Sequence, residues 1–481
     1  MTHDFPDSEG YVVGGERRRP NDDLSVTDPA TGEQLSTVPE AGEAGVDEAL
    51  ASSVAVAQEW AASDTVERGR LLTGLAEAIR DHADSLAATE TRDVGRPLTE
   101  SHANVEGAAA TFEYFAGLTD KVQGRQIPLP GADDYVDYTV REPYGVTAHV
   151  VPWNAPLALA ARGFAPALAA GNTVVAKAPE KAPLSLLALS DLVHEVGFPP
   201  GVVNTVTGSG PATGAPLVGD ERVDAIEFTG STGTGKAVMR SAAEHVRDVH
   251  LELGGNGANI VFADADLDAA LDSVVATFGN AGQICFAPTR VFVQSDIYEA
   301  FLDRAVERVG AMAVGPGIED PDVGPLVTAD ARDTVAGFVD DARERGARVL
   351  TGGEVPREPG NFYAPTLVDG VADDAPLVRE EVFGPVLTCH EFETAAEAVE
   401  RANDTRYGLS NLVWTTDLST AHAVAASLES GTVQVNDYPI LSPAAVSGGY
   451  GESGIGRAKG QQAIESFTQT KNVAIKLEDV V

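Results

Sequence analysis

Three short stretches hold side chains that can do chemistry, and a fourth can hold a phosphate. In "FGNAGQICFAPTR", Cys285 follows a glycine-bearing turn. An accessible thiolate with a lowered pKa is a strong nucleophile; a lone cysteine is also at home as a small buried apolar residue. In "HLELGGNGAN", Glu252 stands between two leucines at a strand end, ahead of Gly254 and Gly255. Partial desolvation there would raise its pKa toward general-base work, while an alternating strand can equally turn it outward. In "VVPWNAPL", Asn154 marks the passage from a strand to a helix. Its amide can donate two hydrogen bonds, as an oxyanion site requires, or its oxygen can cap the helix. "FTGSTGTGKA", Phe228 to Ala237, fits most of G-x-x-x-x-G-K-[ST]. Ala237 lacks the hydroxyl that would ligate the magnesium of a nucleoside triphosphate. The stretch supports a phosphate at a helix N-terminus, or a turn with no ligand, over a metal-bound triphosphate.

Strand ends are the elements that must position these groups. Val46 to Ala62 and Val66 to Glu90 have helical spacing, "GRPLTES" breaks the run, and a further helix is expected through Phe115. "YVDYTVREPYGVTAHVVPWN" is rich in Val, Tyr and Thr and reads as strands. Strands and helices then alternate. "NTVVAKAP" is a strand, Leu184 to Val196 a helix, "GVVNTVTG" a strand, and Thr213 to Val218 a short helix. "VDAIEFTG" is a strand, Gly233 to Arg247 a helix, and "HLELGG" a strand. A second alternating block runs from "ANIVFADA" to "GTVQVND". Such alternation implies βαβ units and parallel sheets, with a domain boundary near Gly254-Gly255. The tail "TKNVAIKL" alternates as a strand without a sequence-local partner, so it must pair with a distant segment or another subunit.

Composition narrows the function classes. The 481 residues suffice for two or three domains, and 43% apolar residues mark a folded globular chain. Against 33 Lys and Arg stand 73 Asp and Glu, a net charge of −40 spread over the whole length. Such a surface repels nucleic acid and anionic membrane. With few lysines, it reads as adaptation to a very salty cytoplasm, where counterions screen the repulsion. "MTHDFPDSEG" has no apolar run and is not read as a secretory signal. Ala155 to Gly171 is apolar but carries Arg162 and Pro166, so it reads as a buried helix and not a membrane span. Cys285 and Cys389 make no disulfide framework, and a cytoplasmic location is expected. Cys389, in "GPVLTCHEF", reads as a strand residue; His149 and His390 show no metal spacing, and no metal site is expected.

Together the stretches resemble one family. "PWN", "LELGGN" and "GQIC" follow in that order, accompanied by "VVAKAPE", "EFTGSTGTGK", "EEVFGPVL", "NDTRYGLSNLVWT", "GGYGESGIGR" and "FTQTKNV". Over nearly its whole length the chain resembles the NAD(P)-dependent aldehyde dehydrogenase superfamily. The resemblance implies an α/β fold: a Rossmann-like cofactor domain (1–123 and 143–254), an α/β catalytic domain (255–446), and a small bridging oligomerisation sheet (124–142 and 467–481). It implies that Cys285 attacks the aldehyde carbon and that Asn154 and the Cys285 N–H hold the oxyanion. Hydride loss to the nicotinamide then leaves a thioester, which Glu252 hydrolyses by activating water. Thr229, Gly230 and Ser231 match the turn facing the dinucleotide pyrophosphate. Lys177 and Glu180 match the adenine-side ribose contacts; a carboxylate there favours NAD, and Lys177 keeps NADP use open. Glu381 and Phe383 match nicotinamide-side contacts, and Trp153 belongs to the same cofactor-binding set. A small-molecule aldehyde is the implied partner, and a homodimer or homotetramer the implied assembly.

Arg162 bears on which aldehyde is used. It is the only charge between Asn154 and Lys177, and a buried charge needs a partner. That partner is a protein carboxylate or an anionic substrate. Members resembling succinate-semialdehyde dehydrogenases carry Arg here, as do members resembling benzaldehyde and vanillin dehydrogenases, so a semialdehyde and an aromatic aldehyde both stand. Ala155 and Ser447 replace residues that are often aromatic, which implies a roomier channel. Three other functions compete. A coenzyme A-acylating branch lacks the Glu at position 252, a non-catalytic protein would have no use for the intact trio, and a P-loop ATPase would bind magnesium-ATP.

Overall fold

The computed structural model describes residues 10–20, 23–132, 134–439 and 442–478. Residues 1–9, most of the stretch read as no secretory signal, and residues 479–481 of the tail lie outside the described residues. An eight-stranded sheet runs in the order Gly454–Ile455, Asp248–Glu252, Ala225–Thr229, Val146–Val150, Thr173–Lys177, Val203–Val206, Tyr11–Val13, Glu16–Arg18. Its five central strands are parallel, with antiparallel additions at both edges. Helices cover both faces, so "TVVAK" and "VNTV" are buried at every position. From Val146–Val150 the chain steps outward twice, then returns to lay Ala225–Thr229 on the other side. The strand order reverses there, and in such sheets the crevice outside the carboxyl ends at the reversal is where ligands bind.

A second sheet, of seven strands, runs Arg348–Thr351, Thr366–Asp369, Val386–Phe392, Arg290–Gln294, Ala258–Val261, Ser410–Trp414, Thr432–Val435. It has apolar clusters of its own, separate from those around the first sheet. The tail strand Thr468–Lys476 pairs antiparallel with Tyr135–Pro143 along its full length, and Gln126–Ile127 completes a three-stranded sheet. Of the two partners expected for the tail, the structure supplies the distant segment of the same chain.

Local differences have local causes. The continuous helical spacing from Val66 to Glu90 forms two helices, Thr65–Asp81 and Ala83–Val94, because His82 leaves helical geometry (φ −105°, ψ 18°). The helix expected to reach Arg247 stops at Ala243, and Val246 beyond it has a left-handed φ of 55°. The short helix expected at Thr213 to Val218 is a wide turn, Gly210–Gly214, running into Ala215–Gly219. Pro156–Ala170 is a helix buried along almost its whole length within the protein. Among the described residues, no helix is long and apolar enough to cross a membrane.

Candidate active site

Asn154 follows the strand Val146–Val150 and is 8% exposed. It does not cap the next helix: Ala155 occupies the cap position, without a side-chain bond. Its Nδ2 donates to the Gln283 carbonyl at 3.0 Å, which leaves the second N–H for another acceptor. Its own carbonyl accepts from Arg96 Nη2 at 2.8 Å and Asn280 Nδ2 at 3.0 Å. Arg96 is itself held by the fully buried Glu90, at 3.2 Å. Two segments, at Arg96 and at Asn280–Gln283, thus hold the Asn154 backbone carbonyl and its side-chain amide.

The segment bearing Cys285 is built from strained backbone. Asn280 and Ala281 both take left-handed conformations, with φ of 46° and 53°, and Gly282 follows at 70°. Such geometry persists where the surroundings over-determine it. Here Glu100 accepts from the Asn280 N–H at 2.9 Å, and Gln283 Oε1 accepts from the Val327 N–H at 2.9 Å. Cys285 emerges half-buried with a free thiol. A side chain at position 255 would clash with the Cys285 carbonyl, its Cβ falling 2.2 Å from that oxygen, so glycine there lets the two segments meet. Burial pushes the thiol up to about 11; Arg162 pulls against it, while Glu381 and Glu252 add to the rise. A lowered thiol pKa is therefore not what the surroundings supply. Arg162 is the neighbouring group that favours the thiolate.

Glu252 points inward and is 4% exposed. The expected rise in its pKa is overturned. Burial does push it up, but Arg162 and His250 outweigh burial and hold it below the usual carboxylate value. Arg162 Nη1 stands 3.7 Å from Glu252 Oε2, and its Nη2 donates to Thr229 Oγ1 at 2.6 Å. The partner Arg162 holds in this structure is thus a protein carboxylate. His250 Nε2 lies 3.4 Å from Glu252 Oε1, and its Nδ1 pairs with Glu227.

The crevice at the strand reversal collects the expected cofactor residues. Thr229 and Gly230 end one strand, and Ser231 caps the helix Thr232–Ala243 by accepting from the Thr234 N–H at 3.3 Å. The N–H-rich end of that helix and the small Gly230 suit a phosphate group. Lys236 is turned away, paired with Glu452 at 2.7 Å, so it does not serve as a triphosphate lysine. On the other side Lys177, at the end of Thr173–Lys177, is 5% exposed and donates to the Ala178 carbonyl at 3.0 Å. Burial lowers its pKa, opposed by Glu180 and Glu40. Exposed Glu180 accepts from the Gly210 N–H at 3.2 Å. Between these ends and Cys285, the Trp153 and Phe383 rings meet edge to face at 5.5 Å, with Lys181 over Trp153. Glu381 accepts from the Gly255 N–H at 3.0 Å, and burial raises its pKa to about 7.

Sequence reasoning missed Arg96, Asn280 and Gln283, whose roles depend on contacts far apart in the chain. It also passed over His250 and Glu227. His250 had a signal: on a strand it shares a face with Glu252, two residues on. Among the described residues, no cluster of His, Cys, Asp or Glu could hold a metal ion.

The sequence profile of the aldehyde dehydrogenase family matches residues 17–473. The chain is 43% identical over 461 residues to betaine aldehyde dehydrogenase of Cereibacter sphaeroides, covering 95% of this chain and 94% of that protein. It is 42% identical over 457 residues to the (Z)-2-((N-methylformamido)methylene)-5-hydroxybutyrolactone dehydrogenase of Acinetobacter baylyi, covering 94% and 93%. The NAD+ complex of an aldehyde dehydrogenase from Bacillus cereus superposes with a TM-score of 0.97 at 38% identity, over 98% of each chain. The Cys285–Glu252–Asn154 trio therefore sits in a fold and sequence shared end to end with those enzymes, and the chain belongs to the aldehyde dehydrogenase family, which oxidises aldehydes to carboxylic acids.

Proposed function

We propose that the protein oxidises a neutral or anionic aldehyde with NAD, through a thiohemiacetal and a thioester on Cys285. The observations that carry this reading are that Asn154 donates to the Gln283 carbonyl, two residues before Cys285, and that Glu252 and Arg162 both act on the Cys285 thiol. The Cys285 thiol gives its proton to water, the thiolate adds to the aldehyde carbon as the carbonyl π electrons pass to oxygen, and that oxyanion accepts from Asn154 Nδ2 and the Cys285 N–H. NAD, when bound, supplies the acceptor for the hydride that leaves the same carbon. Covalent attachment makes that departure unimolecular, which removes much of its entropic cost. Glu252 takes a proton from water, the hydroxyl adds to the thioester, and the C–S bond breaks to release the acid and restore the thiol. Trp153, Phe383 and Glu381 orient the nicotinamide side of NAD, and Thr229, Gly230 and Ser231 receive its pyrophosphate. Glu180 accepts from the ribose hydroxyls and disfavours a 2′-phosphate, while Lys177 keeps NADP a secondary option. Asn154→Ala is expected to lower kcat about 10²–10³-fold, with NAD binding by fluorescence titration unchanged.

Betaine aldehyde, which names one relative, carries a fixed positive charge. Here Arg162 and Lys459 both act on the surroundings of Cys285 and Glu252. Lys459 is half-buried, and Glu252 is the carboxylate whose charge acts on it. A cationic aldehyde would be repelled by these two cations, and a semialdehyde with a distal carboxylate would be attracted. An aromatic aldehyde is favoured by a different observation: the Phe286 and Tyr438 rings lie 6.2 Å apart, and Ala155 and Ser447 leave room.

The chain divides, in this reading, into a cofactor domain (1–123 and 143–254), a catalytic domain (255–446) and bridging segments (124–142 and 467–481). The separate apolar clusters of the two large sheets support the division. The three-stranded sheet, with Ile127, Tyr135, Ile475 and Leu477 exposed, supports assembly as a homodimer or homotetramer. The net charge of −40 supports a cytoplasm rich in salt, with neither nucleic acid nor membrane as partner. The test is NAD and NADP reduction in concentrated potassium chloride with cationic, aliphatic, aromatic and carboxylated aldehydes. Turnover of carboxylated or aromatic aldehydes with NAD is expected; preference for the cationic ones would overturn the substrate reading.

A further inference from the structure

A row of ionisable side chains crosses the buried face of the cofactor sheet, where parallel strands are ordinarily apolar. His149, Glu227 and His250 are register neighbours on three adjacent strands. All three are at least nine-tenths buried, with exposures of 1%, 5% and 5%. His250 Nδ1 pairs with Glu227, and His250 Nε2 faces Glu252 at 3.4 Å. His149 Nε2 is engaged by Thr147 Oγ1 at 2.9 Å. Two glycines admit the row. A Cβ at position 163 would fall 2.9 Å from His149 Nδ1, and one at position 456 would fall 2.4 Å from the His250 ring. Burying such groups is costly without a purpose or full pairing.

We propose that His250 is a positioning residue for Glu252: it stands against Glu227 with one ring nitrogen and faces the base with the other. Arg162 faces the second Glu252 oxygen from the helix side at 3.7 Å, so a basic group stands beside each carboxylate oxygen. Burial opposes charge on His250, yet Glu227 and Glu252 outweigh it and raise the imidazole to about 10. Burial lowers His149 to about 4, so it adds no second cation to the row in neutral solution. The charged or titratable groups around Glu252 are Arg162, His250, Arg457, Cys285 and Lys459; those around His250 are Glu227, Glu252 and His149. No proton moves permanently in this role. The imidazolium stays charged while Glu252 cycles.

The inference rests on Glu252 being the water-activating base. That base is active as the carboxylate, so deacylation is lost as pH falls through its pKa. Removing the neighbouring cation raises that pKa and moves the acid limb to higher pH. The experiment follows acyl-enzyme decay by rapid quench and intact mass across the pH range, in wild type, His250→Gln and Glu227→Gln. In His250→Gln the acid limb is expected to rise by about one unit, and decay at its plateau to slow about tenfold. The first-turnover burst of reduced nicotinamide should keep its amplitude, because it precedes the step that Glu252 performs. Glu227→Gln, which keeps the imidazole but removes its partner, should slow decay at the plateau in the same way, and an undiminished plateau there overturns the proposal if His250→Gln does not fold. An unmoved limb, or a burst that falls together with decay, would make the row purely structural and overturn the proposal. Glu252→Gln separates the underlying reading: unimpaired decay in that variant would remove Glu252 as base whatever His250 does.

Discussion

Cys285→Ala is expected to lower kcat on the order of 10⁴-fold or more, the scale on which loss of a covalent nucleophile acts. The variant should retain its fold and bind NAD, since Cys285 is half-buried and its thiol forms no disulfide. The loss should appear in the first turnover as well as the steady state, because without sulfur no tetrahedral adduct forms. Cys389→Ala is the control. Cys389 lies on Val386–Phe392, 3% exposed, and burial pushes its thiol up to about 12, so it is an inert core residue. Stopped-flow measurement of reduced nicotinamide checks both. Wild-type rates in Cys285→Ala would remove the nucleophile from the account.

Glu252→Gln is expected to lower kcat about 10²–10⁴-fold, the range for a lost general base, but with a different signature. Thioester formation should proceed, so reduced nicotinamide should appear as a burst close to the active-site concentration, followed by a slow phase. The pH profile gives a second check. In wild type, Arg162 and His250 hold the Glu252 pKa below the usual carboxylate value, so deacylation should lose rate only as pH falls below that value. The general base here is available by being kept ionised and desolvated, not by a pKa poised near neutrality. A loss of burst in Glu252→Gln would place Glu252 in the first half-reaction instead.

The alternation of strands and helices was legible because its period is local, and so was the list of groups that do chemistry. The trio and the crevice residues lie at strand ends or in turns with their own punctuation: "PWN", "LELGG", "FTGS". What joins them was not legible. The tail strand announced itself by alternation, but its partner at 135–143 is more than three hundred residues away in the chain. The direction of the Glu252 pKa was misread for a related reason. Desolvation could be inferred from two flanking leucines, whereas the opposing cations come from a helix and a neighbouring face position. Arg162 shows the limit most plainly. Its burial followed from an apolar helix, but the choice between protein and substrate carboxylate turned on a 3.7 Å approach to Glu252. Asn154 failed as a cap because Ala155 takes the cap position and the Asn154 amide donates instead to the Gln283 carbonyl, which is not near it in sequence.

The most direct test of the central claim is the intact mass of Glu252→Gln after mixing with NAD and a turned-over aldehyde. Thioester chemistry at Cys285 predicts an added mass equal to the acyl group, located on the peptide containing Cys285 and released by hydroxylamine. An unmodified Cys285 in that variant, while wild type turns over the same aldehyde, would contradict the covalent mechanism.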